Sequence, residues 1–321
     1  MGIATAPRAS APRLDLQRLT RDAMTLESIQ MTQHLFAVCI SRTVRERLKS
    51  RPFQGRVLAA FDDVCDVATP DGDVIAVVQE RIGNGPLNIV IGIRTGGFAG
   101  FQPGTRAALR AGLIEIGAHR VSWQDAVVWE PRPDWEALRA TGGTLAPRVA
   151  SAARACNGCA PPGSLLEIFG AGGDAGAATV RRAALTAAAG AVTALRAGWH
   201  GDADALQAGA AGLAGLGGGL TPAGDDFLCG AMLCAWLTHP FPETLCRRVV
   251  EVAAPRTTVL SAALLRAAAR GECTAAWHRI LRAVCLGMAA EVASAVHEVM
   301  SHGATSGADA LAGFLWAAAP A

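Results

Sequence analysis

Near residue 140 the chain changes how it spaces its apolar residues, and that change limits the fold more than any other feature. From Gly55 to Trp129 the text reads as strands: "GRVLAAFDDVCDVAT", the turn "PDGD" at Pro70 to Asp73, then "VIAVVQE" and "GNGPLNIVIGI". A Pro-Asp-Gly turn between two β-branched runs signals a hairpin, because Gly72 can take positive φ and Pro70 fixes its own. After "TGGTLAPR" the sequence turns to Ala, Leu and Arg at helical spacing, as in "VRRAALTAAAGAVTALRAGW" and "RTTVLSAALLRAAARGE". In the second of these, Thr257 or Thr258 is placed to cap a helix, Val259, Leu260, Ala263 and Leu264 share a face, and Gly271 is placed to stop it. The expected class is α+β: a flexible tail over 1–28, a small β-rich domain over 29–140 and an Ala/Gly-rich helical domain over 141–321. The stretch "IFGAGGDAG" (Ile168 to Gly176) reads equally as a loop or a ligand-facing turn.

Composition removes several classes of function. With 321 residues the chain is long enough for two cores. Its 29 basic and 27 acidic residues leave a net charge of +2 with no basic block, so no electrostatic footprint for nucleic acid is visible. The longest apolar run, "FLCGAMLCAWL" from Phe227, is far short of the ~20 residues that cross a bilayer. Nine cysteines form no regular ladder and several lie in apolar runs, where a free thiol acts as a small hydrophobe; a reducing cytoplasm is the expected location. "CNGC" at Cys156 to Cys159 lacks a second pair or a nearby His, and reads as a loop with two thiols. There is no nucleophile elbow, Walker loop or H-E-x-x-H motif.

Chemistry concentrates in "GLGGGLTPAGDD", Gly215 to Asp226, which sets five glycines beside two carboxylates. The end of this stretch repeats near the C-terminus. "PAGDDFLCG" (Pro222 to Gly230) and "TSGADALAG" (Thr305 to Gly313) share G-x-D-x-L-x-G, matching Asp226 with Asp309 and Gly230 with Gly313. Both copies predict a turn leading into a helix with an aspartate in its first turn, where a carboxylate can accept free backbone N–H groups. A glycine four residues later lies on the same face and lets another backbone come close. Capping alone needs neither the glycine run nor the second carboxylate. A glycine-rich loop feeding a helix N-terminus also makes an anion nest, and Asp225 with Asp226 adds the alternative of a nest plus a divalent cation such as Mg2+. The candidate binding set is Gly217, Gly218, Gly219, Thr221, Gly224, Asp225, Arg256, Thr305, Ser306 and Gly307, with Asp226 and Asp309 the candidate catalytic pair. Arg256, directly ahead of a helix start, is the candidate cation; no Lys or Arg occurs between Gly201 and Cys246, so the charge for an anion comes from Arg256, the β-rich half or another polypeptide.

"GLGGGLTPAGDDFLCG", "RTTVLSAALLRAAARGE" and "GATSGADALAGFL", in that order, together with "GNGPLNIVIG" (Gly83 to Gly92), resemble a family that includes the AllH-type subunit of oxamate carbamoyltransferase. The resemblance implies a subunit of a carbamoyl-transfer complex in the breakdown of purine-derived ureides. It implies work beside larger partners that resemble acyl-CoA synthetase subunits, on a small anionic substrate such as carbamoyl phosphate or oxamate. The chain departs from the family pattern at Gly218 (Pro in the family), Ala223 (Ser) and Ala304 (His), with His302 two residues before the last. Two readings stand: a catalytic or substrate-binding subunit, or a non-catalytic assembly or regulatory subunit in which the same loops only pack helices together.

Overall fold

A computed structural model describes residues 34–50, 52–92, 98, 101–141, 145–156, 159–166 and 179–319, the side chains of 145, 146 and 179–187 excepted. The tail over 1–28 and the whole of Ile168 to Gly176 lie outside the described residues.

Eight strands close into a barrel: β1 (His34–Ser41), β2 (Phe53–Ala60), β3 (Val64–Ala68), β4 (Val74–Gln79), β5 (Asn88–Ile91), β6 (Arg106–Arg110), β7 (Leu113–Ile116) and β8 (His119–Ser122). They run in the order β5-β4-β3-β2-β6-β7-β8-β1, and an antiparallel β1–β5 pairing completes the ring. A ninth strand, β9 (Val127–Trp129), lies parallel to β1. The Pro70 to Asp73 turn joins β3 to β4 as an antiparallel hairpin, with Gly72 at φ +78°. Cys65, Val67, Ile75, Val77, Ile89 and Leu109 point inward, and helix α1 (Arg42–Ser50) adds Val44 and Leu48 to that core.

Strand β4 is buried on both faces, which accounts for its unbroken apolar run. Its outer residues Val74, Ala76 and Val78 pack with Ala263, Leu260 and Leu264 of a helix from the second half of the chain. That half contains α2 (Trp135–Ala140), α3 (Leu145–Cys156), α4 (Thr179–Trp199), α5 (Ala203–Leu213), α6 (Ala223–Thr238), α7 (Pro242–Ala253), α8 (Val259–Ala269), α9 (Ala275–Leu286), α10 (Ala289–Met300) and α11 (Ser306–Ala318). Helix α2 already belongs to the helical core: Trp135 stacks on Trp236 and its indole N–H donates to the Gly271 carbonyl at 2.9 Å. Thr258, not Thr257, caps α8, accepting from the Ser261 amide at 3.1 Å. Val259, expected to share a face with Leu260, Ala263 and Leu264, is 41% exposed, while those three pack on the barrel.

Helix α6 is buried nearly all round, so "FLCGAMLCAWL" is the centre of a bundle. No helix among the described residues is long and apolar enough to cross a membrane. The repeated motif explains how α6 and α11 meet. A methyl group on Gly230 would overlap the Ala310 carbonyl, and one on Gly313 would overlap the Phe227 carbonyl. Each motif's last glycine therefore seats the residue that follows the other motif's aspartate. The two copies lock reciprocally, backbone against backbone.

Candidate functional site

The glycine loop is held from two sides. At its base, Asp225 is buried and both its oxygens are engaged: Oδ1 accepts from the Gly215 amide at 3.0 Å and Oδ2 from the Thr257 hydroxyl. Thr258 donates its hydroxyl to the Leu220 carbonyl at 2.5 Å. At its far end the Thr221 and Ser306 hydroxyls lie 2.8 Å apart, joining the loop to the second copy of the motif. Between these anchors Gly217, Gly218 and Gly219 are exposed, with Gly217 and Gly219 at positive φ. Gly224 is pressed against the Leu213 carbonyl and serves packing.

Neither repeated aspartate caps its helix. The N-cap positions are Pro222 and Thr305, and neither makes a side-chain cap hydrogen bond. Asp309 is fully buried, and its Oδ1 accepts from the Leu165 amide at 2.6 Å, a contact from a distant part of the chain. Its Oδ2 has no partner among the described residues. Asp226 is 7% exposed and its Oδ2 is likewise unpartnered. Burial raises the Asp226 carboxyl to about 8; Ser306 and Thr221 oppose the shift, while Asp309 and Asp225 add to it. Burial also raises Asp309, with its Leu165 and Thr305 hydrogen bonds opposing.

Asp226 lines a cavity of about 210 Å³ between the two halves of the molecule. The barrel supplies Pro86; the helices supply Ser306, Gly307, Cys229, Cys273 and His302, with Trp277 closing an apolar side. Burial raises both thiols well above their ordinary range, so neither offers a thiolate nucleophile. Burial also lowers His302, whose Nδ1 lies 2.9 Å from the Glu298 carbonyl; backbone contacts at Ile82 and Val299 partly offset the shift. At neutral pH the ring is uncharged.

The expected residues thus fall into three groups. Asp226, Ser306 and Gly307 line the cavity, with Thr221 bonded to Ser306 beside them. Asp309 sits sealed behind this wall, and Thr305 is the residue at which α11 begins. Gly217, Gly218 and Gly219 face outward, and Arg256 is exposed with its guanidinium on the Val252 carbonyl, so none of these lines the cavity. Asp225 has no oxygen free for a metal, and among the described residues no group of three or more His, Cys, Asp or Glu side chains is arranged to hold one. Sequence reasoning missed Cys229 and Pro86. Cys229 is three residues after Asp226, hence on the same helical face, and Pro86 lies within "GNGPLNIVIG".

Two family models match the chain: the AllH family N-terminal domain over residues 34–128, and oxamate carbamoyltransferase subunit AllH over residues 213–318. Their spans are the barrel and the bundle that carries both copies of the motif. The chain belongs to the AllH family. No curated protein and no solved structure matches it. Other subunits are partners that the AllH description itself implies. The cavity of this AllH-family chain lies where the two matched regions meet.

Proposed function

We propose that the chain is the subunit of a carbamoyltransferase complex that holds the carboxamide ends of the reactants, with Asp226 as the proton acceptor of the transfer. The observation that carries this reading is a nine-tenths buried carboxyl group, with an unpartnered oxygen, on the wall of a small cavity. Carbamoyl phosphate and oxamate share a neutral carboxamide group, an amino donor beside a carbonyl acceptor, that matches such a wall, where the Ser306 and Thr221 hydroxyls supply further hydrogen bonds. In transfer, the acceptor amide nitrogen bonds to the carbamoyl carbon, the bond from that carbon to the phosphate oxygen breaks, and phosphate leaves. The nitrogen's proton passes to the Asp226 carboxylate. A carboxylate raised to about 8 is a stronger base than an ordinary one and still exchanges protons near neutral pH. Asp309 is a positioning residue in this scheme, sharpening the basicity of Asp226 through its charge.

The anionic ends of the substrates need cations, and no Lys or Arg lines the cavity. The exposed amides of Gly217, Gly218 and Gly219 offer an anion nest, and charged side chains of another subunit complete it. The wall holds two carboxyl groups, Asp226 and a Glu272 already paired with Arg270 and Thr43, which leaves Asp226 alone to ligate a Mg2+ ion, so the proton transfer is assigned without one. The missing cations also favour a second reading, in which the chain is an assembly or regulatory subunit and turnover resides in its partners.

The test is carbamoyl transfer measured with the isolated chain and with the assembled complex. The proposal expects little turnover from the chain alone. It expects normal turnover from the complex, and a loss of about 10²–10⁴-fold in a complex carrying Asp226→Ala. Unchanged turnover in that assembled variant would leave the chain as a scaffold.

A further inference from the structure

The outer wall of the barrel carries four exposed arginines that lie far apart in sequence: Arg56 on β2, Arg106 and Arg110 on β6, and Arg120 on β8. Their neighbours Val57, Ala107, Leu109 and Val121 fill the barrel core, which turns the arginines outward. In the order of the ring, β6 and β7 lie opposite β5 and β4, the strands that meet α8, so this face points away from the helical half.

Arg56 and Arg106 are direct cross-strand partners, an arrangement that like charges make unfavourable. Neither has a carboxylate partner among the described residues; Arg56 donates to the Gly104 carbonyl at 3.2 Å. Glu115 is the one acid paired with this group there, at 3.8 Å from Arg110 and 3.4 Å from Arg120. Between the strands lies a shallow depression of about 420 Å³, floored by Ala108, Gly117 and Ala118, small residues that leave the guanidinium edges approachable. A chain with a net charge of only +2 has gathered four positive charges against one negative on a single wall.

We propose that this arginine face is the docking surface for an acidic surface of another subunit of the complex. Exposed guanidinium groups pair bidentately with carboxylates, and arginine is enriched where proteins meet. Loss of self-repulsion between Arg56 and Arg106 on docking adds to the affinity. The proposal rests on the family reading that the chain works beside other subunits, but not on the role given to Asp226.

The experiment measures the affinity of the full chain for the remaining subunits of the same source's oxamate carbamoyltransferase, across a series of NaCl concentrations. Wild type is compared with Arg56→Glu/Arg106→Glu, Arg106→Gln and Asp226→Asn, with duplex DNA as a second probe. The double variant is expected to raise Kd by at least about tenfold and to flatten the salt dependence, with Arg106→Gln between it and wild type. Thermal unfolding should show Arg106→Gln at least as stable as wild type, since it removes the like-charge pair, and the double variant close to wild type, since it exchanges one like-charge pair for another. Asp226→Asn should bind normally while losing turnover, which separates failure at the cavity from failure at the docking face. Unchanged affinity in the double variant overturns the proposal, as does absence of association by wild type. Loss of DNA binding alone, with subunit affinity intact, overturns it in favour of a nucleic-acid face.

Discussion

The two copies of G-x-D-x-L-x-G have the same sequence pattern and different fates. At the crossing of α6 and α11 they are interchangeable, each glycine seating the backbone that follows the other copy's aspartate. Beyond the crossing the symmetry ends. The first copy is preceded by the glycine loop and carries Cys229 before its last glycine, and both Cys229 and Asp226 reach the cavity. The second copy reaches the cavity through Ser306 and Gly307, but its Asp309 is sealed behind them and bonded to the Leu165 amide. The shared residues build a close helix contact; the unshared surroundings decide which carboxyl group meets a ligand.

Breaking the shared part should have the largest effect. Gly230→Ala or Gly313→Ala should destabilise by about 3 kcal/mol or more in urea unfolding, because the obstruction is backbone and cannot rotate away. Gly218→Ala meets nothing within 4 Å and should change stability by less than about 0.5 kcal/mol. Equal losses at these sites would remove the reciprocal lock from the account.

The aspartates should differ next. Asp309→Leu leaves the Leu165 N–H buried without an acceptor and should lose about 1–3 kcal/mol. Asp226→Asn should do the opposite at alkaline pH. Folding favours the protonated form of Asp226, since its carboxyl lies at about 8 in the native state against an ordinary 3.8. The stabilisation is therefore fully present below about 3.8 and is lost as pH rises through the window up to about 8. Replacing the group removes that slope, and unfolding followed from pH 5 to 9 should show the variant gaining steadily on wild type towards the upper end. Parallel curves would mean that Asp226 is solvated or paired.

Much of this comparison was legible in the sequence. The repeat, its close-packing glycines, the β3–β4 hairpin, the cap at Thr258 and the helical second half follow from local rules of φ, capping and period. Barrel closure was not legible, since the β1–β5 pairing joins segments about fifty residues apart with no mark in either. The capping contact that a first-turn position offers these aspartates is not made, and the partners they do have are tertiary: Gly215 and Thr257 for Asp225, Leu165 for Asp309. Arg256 drew notice because it stands directly ahead of a helix start, yet its side chain turns back to the Val252 carbonyl of the preceding helix. The arginine face was hidden for a related reason: strand pairing, not sequence proximity, gathers Arg56, Arg106, Arg110 and Arg120.

The most direct test of the central claim, that one copy of the motif reacts while its twin supports it, is the pH dependence of kcat/KM for the assembled complex carrying wild type, Asp226→Asn or Asp309→Asn. Wild type should rise with pH and level off above about 8, as the Asp226 carboxylate forms. Asp226→Asn should lose about 100-fold or more and flatten the profile. Asp309→Asn should keep most of the plateau rate and shift the rise to lower pH, because a charge that pushes Asp226 upward is gone. Equal losses in the two variants, or an unshifted profile in Asp309→Asn, would contradict the account.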